Sequence, residues 1–200
     1  AGSKTVKVVI LDEDGTPVHS VYRRHLSNIR ETLTDVLHNL AWRYGDLRGH
    51  AAVTGSAGIA LADMLGLPFV QEVVATTRAV EEVYPEADAV VELGGEDAKV
   101  MDLSGNPEQR MNATCAGGTG GFIDTIAFML GVRSSEMSRL AGGANRIYPI
   151  ASRCAVFAQT DVRPLLNSGA KKSDIAASAL EAVVRQTVTG LACGRPISGT

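Results

Sequence analysis

The stretch Asn112-Ala113-Thr114-Cys115-Ala116-Gly117-Gly118-Thr119-Gly120-Gly121-Phe122 sets a thiol directly against a glycine-rich turn. Beyond the turn, Phe122, Ile123, Ile126, Ala127 and Leu130 recur at helical spacing, so it opens an amphipathic helix. Backbone N–H groups at a helix N-terminus point outward and the helix dipole favours negative charge, which makes such a turn a cradle for an anion. The same dipole favours the thiolate of a neighbouring cysteine, the form that binds metal. One short loop can thus face a phosphate on one side and a metal centre on the other.

Upstream, Ala89 to Leu93 reads as a strand that breaks at Gly94-Gly95 and resumes, after Glu96-Asp97, as Ala98 to Asp102. Its tip would offer backbone N–H groups and carboxylates together, which suits a phosphate and its Mg²⁺. Gly-Gly turns are common, so the spacing by itself is a weak signal. Downstream, Ser134-Ser135-Glu136 starts a short helix to Leu140, Ala141 to Asn145 is a loop, and Tyr148 to Ala151 is extended. Cys154 precedes a helix opening at Ala155, and Ser173 caps a long helix from Ile175 to about Leu191, with Ile175, Ala179, Val183, Val184 and Val188 inward.

In the N-terminal part, Val6 to Asp12 reads as a buried strand, and Asp14-Gly15 is a hairpin signal returning through Val18 to Arg23. Ser27 caps a helix to about Tyr44, with Ile29, Leu33, Val36, Leu37, Leu40 and Ala41 on one face and Arg30, Glu31, Asp35 and Arg43 on a solvated one. A short strand, Ala51 to Thr54, ends in Gly55-Ser56-Ala57-Gly58, and helices follow over Ile59 to Leu65 and Val70 to Val83. Glu72 caps the second or faces a site; solvent exposure is the alternative. The element order points to an α/β layered fold with a mixed sheet.

The 200 residues are 45% hydrophobic and 20% charged with a net charge of −3, which leaves no electrostatic reason to expect nucleic acid and no basic run for a membrane surface. No apolar run reaches transmembrane length. Three cysteines are too few, and odd in number, for a disulfide framework, which favours a reducing cytoplasm. The chain opens almost directly into a strand and stops at Gly199-Thr200 just after a Cys-Gly-Arg-Pro turn, so it reads as a piece of a longer polypeptide.

Gly2-Ser3-Lys4-Thr5 looks like the end of a P-loop, but a strand follows where a P-loop needs a helix. The histidines His19, His25, His38 and His50 are never paired at ligand spacing, and no Cys-x-x-Cys occurs. Cys115 as a nucleophile lacks an evident base. Cys115 and Cys154 each stand at a predicted helix start. A lone buried cysteine is usually a small hydrophobe. If these two bind a four-cysteine cluster, two copies of the chain must share it across a twofold axis.

Val91 to Lys99, Asn112 to Gly120 and Cys154-Ala155-Val156-Phe157-Ala158 together resemble the activator ATPases of 2-hydroxyacyl-CoA dehydratases and their benzoyl-CoA reductase relatives. Thr54 to Gly58, Pro68 to Val73 and Gly190 to Pro196 are most similar to the long multidomain members known as CoA-substrate-specific enzyme activases. The resemblance covers essentially the whole chain. It implies the fold shared by actin, hexokinase and the heat-shock chaperone ATPases (ribonuclease H-like), incomplete here at both ends. Residues 1–90 would form the first α/β subdomain and residues 91–200 the second, which carries the cluster cysteines.

The resemblance implies ATP or ADP with Mg²⁺, and a homodimer holding one [4Fe-4S] cluster with Cys115 and Cys154 as each protomer's ligands. Gly2, Ser3 and Thr5 match the first phosphate loop, Gly94, Gly95 and Asp97 the second, with Glu96 and Asp97 as the catalytic acids. Gly118, Thr119 and Gly120 match the turn that approaches the nucleotide. The expected activity is ATP-driven transfer of one electron from a ferredoxin or flavodoxin donor to a dehydratase or reductase partner. The acidic residue that the family has just upstream of Gly2 is missing from this chain, and so is the adenosine-binding glycine motif expected beyond Thr200. Lys4 stands where a small hydroxyl residue is usual, and Cys193 reads as structural. A sugar- or acetate-type kinase of the same fold is the rival reading, and a cluster-free assembly module a third.

Overall fold

The computed structural model describes residues 1–46, 48–104, 108–112, 117–151, 154–192, 197 and 199. The chain forms two compact units, Ala1–Val83 and Tyr84–Thr200.

In the first unit, β1 (Thr5–Leu11) and β2 (Pro17–Arg24) form the antiparallel hairpin expected at Asp14-Gly15. Asp12 Oδ1 accepts from the N–H groups of Asp14 and Thr16 at 3.0 and 2.8 Å, and Gly15 supplies the positive φ of +80° that the turn requires. β1 is not buried throughout: Val6 is sealed off, whereas Val9 and Leu11 on the other face are more than half exposed. Only one face of this two-stranded sheet is covered, by α1 (Ile29–Tyr44), so side chains alternate in and out. Val36 and Leu40 carry the buried contact of α1, while Leu37 is exposed. The helix is capped one residue later than expected: Asn28 accepts from the Glu31 N–H at 3.4 Å, while Ser27 is held at φ +69°.

β3 (Val53–Thr54) pairs in parallel with β4 (Phe69–Val70), so the second predicted helix yields its first residue, Val70, to a strand. α2 (Gly58–Leu65) lies between these strands in sequence and α3 (Glu72–Val83) follows them.

The second unit opens with an antiparallel sheet in the order β5 (Ala89–Leu93), β6 (Ala98–Asp102), β7 (Glu108–Met111). The parallel and antiparallel pairings therefore sit in separate small sheets among the described residues. α4 (Gly120–Leu130) packs through Phe122, Ile126, Ala127 and Leu130 against α6 (Ala155–Asn167) and α7 (Lys172–Gln186). Ser134–Glu136 forms a 3₁₀ turn that leads into α5 (Met137–Ala141), which packs on α7. α7 meets its neighbours through Ile175, Ala176, Ala179, Ala182 and Val183, small enough for close approach. Val184 and Val188, expected inward, are more than half exposed. At roughly 100° per residue, position 184 lies half a turn from Ile175. Helix α7 also starts at Lys172, before Ser173 can cap it, and passes at Thr187–Leu191 into a π turn.

Candidate functional site

The glycine hairpin and the glycine turn, read separately in the sequence, meet in the second unit. The Gly94 N–H donates to the Asp97 carbonyl at 2.7 Å and closes the β5–β6 tip. A Cβ on Gly94 would stand 3.0 Å from that same carbonyl, so the turn favours glycine. The N–H groups of Gly120 and Gly121 then donate to the carbonyls of Gly94 and Gly95 at 2.8 and 2.9 Å. Those of Phe122 and Ile123 donate to Thr119 O at 3.1 and 3.3 Å.

The N–H groups of Gly120, Gly121 and Phe122, which the start of a helix leaves open, are therefore satisfied by backbone carbonyls. This corrects the expectation that the start of α4 is by itself an anion cradle: its donors hold the hairpin. At the hairpin tip, the N–H groups of Gly95, Glu96 and Asp97 take no part in the hydrogen bonds among the described residues. They stand beside the exposed Glu96 and the half-buried Asp97, so donors and carboxylates share one tip.

Two residues outside the expected set support this junction. Asn112 bonds Ala98 twice: its N–H donates to the Ala98 carbonyl at 3.1 Å and its side-chain oxygen accepts from the Ala98 N–H at 2.8 Å. That pairing ties the start of the cysteine loop to the strand leaving the hairpin. Gln186, the last residue of α7, lies against Gly118, whose φ is +74° and whose added Cβ would fall 2.8 Å from Gln186 Cγ. A Cβ on Gly190 would meet Gln186 Nε2 at 2.8 Å, so the glutamine sits between two glycines. Thr119, next to Gly118, is fully buried. Asn112 opens the cysteine–glycine stretch, where the sequence assigned it no role; no local pattern marked Gln186.

Cys154 occupies the residue before α6, half-buried, with its carbonyl accepting from the Ala158 N–H at 3.1 Å. The helix dipole favours thiolate there, as a metal ligand requires. Val156 and Phe157 beside it are 65% and 64% exposed, an apolar surface of the kind an interface covers. Asp161 Oδ2 accepts from the Ala151 N–H at 2.8 Å and ties the approach to Cys154 onto α6. Cys115 and Cys193 lie outside the described residues.

In the first unit, Gly2, Ser3 and Thr5 form a turn closed by the Gly2 N–H donating to Thr5 O at 2.9 Å. β1 begins at Thr5, as the argument against a P-loop requires. The Ala1 nitrogen donates to Thr54 O at 2.6 Å and the Ala57 N–H donates to Ala1 O at 3.1 Å, which joins this turn to the Thr54–Gly58 loop. Gly55, at φ +106°, packs so close to Ala1 that a Cβ would overlap its carbonyl. Glu72 is half-buried and accepts from the Ser56 N–H at 2.8 Å, so it braces that loop.

Known proteins resemble this chain in sequence and in fold. The model of the BadF/BadG/BcrA/BcrD ATPase family matches residues 1–192. The 2-hydroxyisocaproyl-CoA dehydratase activator of Clostridioides difficile is 33% identical over 120 residues, 58% of this chain and 45% of that protein. The (R)-2-hydroxyglutaryl-CoA dehydratase activating ATPase of Acidaminococcus fermentans is 35% identical over 112 residues, 55% of this chain and 43% of that protein. The chain thus matches less than half the length of these two relatives. Among solved structures, component A of the A. fermentans dehydratase superposes with a TM-score of 0.86 at 24% identity, covering 99% of this chain and 77% of that one. The C. difficile activator with bound ADPNP superposes with a TM-score of 0.83 at 28% identity, covering 98% of this chain and 74% of that one. Matched along nearly its whole length and sharing the actin- and hexokinase-like fold of the dehydratase activators, the chain belongs to the BadF/BadG/BcrA/BcrD ATPase family.

Proposed function

We propose that this chain is the ATPase part of an activator that uses ATP hydrolysis to drive one electron from a [4Fe-4S] cluster, shared by two protomers, into a 2-hydroxyacyl-CoA dehydratase-type partner. The observation that carries the reading is the junction of the Gly94-Gly95 tip with the Gly118–Gly120 turn. In the second unit, the open N–H groups of Gly95 and Glu96 would take phosphate oxygens; in the first, Gly2, Ser3 and Thr5 are proposed as a phosphate loop. Asp97 would hold Mg²⁺ on the phosphates and Glu96 would orient the attacking water. Gly118 and Thr119 would approach the nucleotide from the turn.

Cys154, with the thiolate-favouring start of α6 behind it, fits a cluster ligand; Cys115 is the second ligand proposed. When bound, the cluster supplies a one-electron carrier. The exposed Val156 and Phe157 beside Cys154 support a homodimer closing over that position. A ferredoxin or flavodoxin is the proposed donor and the cytoplasm the proposed location. No helix among the described residues is long and apolar enough to cross a membrane.

Anaerobic purification tests this reading. A brown protein with visible charge-transfer absorption, lost in Cys115→Ser and in Cys154→Ser, is expected, with MgATP hydrolysis lost in Asp97→Asn. A colourless protein that transfers phosphate stoichiometrically to a sugar would establish the rival kinase instead.

A further inference from the structure

His25 is 5% exposed and stands where the end of β2 meets the turn into α1. Its backbone N–H donates to the Lys4 carbonyl at 3.2 Å, extending the β1–β2 pairing to the edge of the Gly2–Thr5 turn. Its ring makes two further bonds. Nδ1 accepts from the Ser27 N–H at 3.1 Å, so Nδ1 carries no proton and Nε2 does. Nε2–H then donates to the Gly2 carbonyl at 3.1 Å. Main chain and side chain of one residue thus hold both ends of the Gly2–Lys4 segment.

The backbone around the ring is strained to permit this. Leu26 and Ser27 sit at φ +46° and +69°, a region that residues with a Cβ rarely adopt. Burial of Leu26 does not explain the strain, because that side chain is 86% exposed. The left-handed pair turns the chain so that the Ser27 N–H faces Nδ1, and it delivers Asn28, whose N–H donates to His25 O at 2.6 Å, to the start of α1.

We infer that His25 is a positioning residue for the first phosphate loop: through Nε2–H it fixes the Gly2 carbonyl and so the direction of the loop's N–H groups and the Ser3 hydroxyl. This rests on the proposed reading of Gly2, Ser3 and Thr5. A histidine that merely braced the β2–α1 turn would need the Nδ1 contact and not the Nε2 one.

Two substitutions in the intact protein separate these roles. His25→Asn places an amide oxygen near the Nδ1 position and keeps the Ser27 contact, but is too short to reach Gly2. His25→Gln can place an amide nitrogen near the Nε2 position and keep the Gly2 contact. His25→Asn is expected to raise the Kd and KM for MgATP about five- to tenfold, the scale of one hydrogen bond, with kcat little changed and the melting temperature near that of wild type. His25→Gln is expected to bind MgATP nearly as wild type does. Equal MgATP affinity in all three proteins, or a loss in His25→Gln as large as in His25→Asn, overturns the inference.

A nitrogen-detected NMR spectrum of the His25 ring is a check that survives poor folding of either variant. It should show Nε2 protonated, slowly exchanging and coupled to a carbonyl; a proton on Nδ1 overturns the inference. Ser3→Ala and Thr5→Ala distinguish the two levels. If neither alters MgATP affinity, the phosphate-loop reading and the clamp fall together. If both weaken it and His25→Asn does not, only the clamp falls.

Discussion

The N–H of Gly120 donates to the carbonyl of Gly94 at 2.8 Å, across 26 residues of chain, and a Cβ on Gly120 would stand 3.0 Å from that oxygen. This bond and its neighbour from Gly121 to Gly95 make the β5–β6 tip and the first turn of α4 one mechanical piece. Whatever moves the tip moves the first turn of α4 with it.

Nucleotide state should therefore reach the proposed cluster. With ADP and with a non-hydrolysable ATP analogue bound, the cluster potential is expected to differ. Potentiometric titration of the two complexes decides it, and equal potentials rule the coupling out. Gly120→Ala, which crowds the Gly94 carbonyl, should shrink the difference.

Gly118→Ala is expected to destabilise the second unit by about 2 kcal/mol or more, because it places a Cβ at φ +74° and 2.8 Å from Gln186 Cγ. In the Gln186→Ala background the 2.8 Å contact with Cγ is gone, while the Cβ of residue 186 at 3.0 Å and about 1–2 kcal/mol of backbone cost remain. A double-mutant cycle by chemical denaturation measures the coupling; additive losses would place Gln186 away from Gly118.

Phe122 is wholly buried where α4 meets the rest of the second unit's core. Phe122→Ala is expected to cost about 3–5 kcal/mol, the sum of lost burial and the cavity left behind. Urea unfolding reports it. Asn28→Ala, by contrast, removes only the cap of α1 and should cost about 1 kcal/mol.

The Glu136 carboxyl is held below its ordinary value of 4.5, first by the Arg133 N–H, which donates to it at 2.9 Å, and next by the Arg133 side chain. A pKa depressed on folding adds stability that is present above the unfolded value and lost as pH falls through the folded one. Glu136→Gln should therefore melt lower than wild type at neutral pH, with the gap closing as pH falls below 4.5 and through the depressed folded-state value. A constant difference in melting temperature across that range would refute the assignment.

How much was legible follows from how far apart the interacting residues lie. The β1–β2 hairpin, the β5–β6 hairpin and the apolar faces of α1 and α4 were written locally, because turn chemistry and helical period act within a few residues. β7 escaped notice: Glu108-Gln109-Arg110-Met111 has no strand-forming pattern and is extended because it pairs with β6. Val184 was misassigned because proximity in sequence to Val183 says nothing about which side of a helix it takes. The resemblance named the glycines, yet not that the donors of α4 serve the hairpin.

The sequence by itself determined most of the element types, the two glycine motifs and the family. Period, turn propensity and short motifs are properties of neighbouring residues. Only the tertiary structure decided that Gly120 meets Gly94, that Gln186 fills the space two glycines leave, and that His25 reaches back to Gly2. Apart from the four-residue step from Gln186 to Gly190, each of those contacts joins residues some 20 to 70 positions apart, where the partner is chosen by packing and by the need to pair buried polar groups rather than by any local preference.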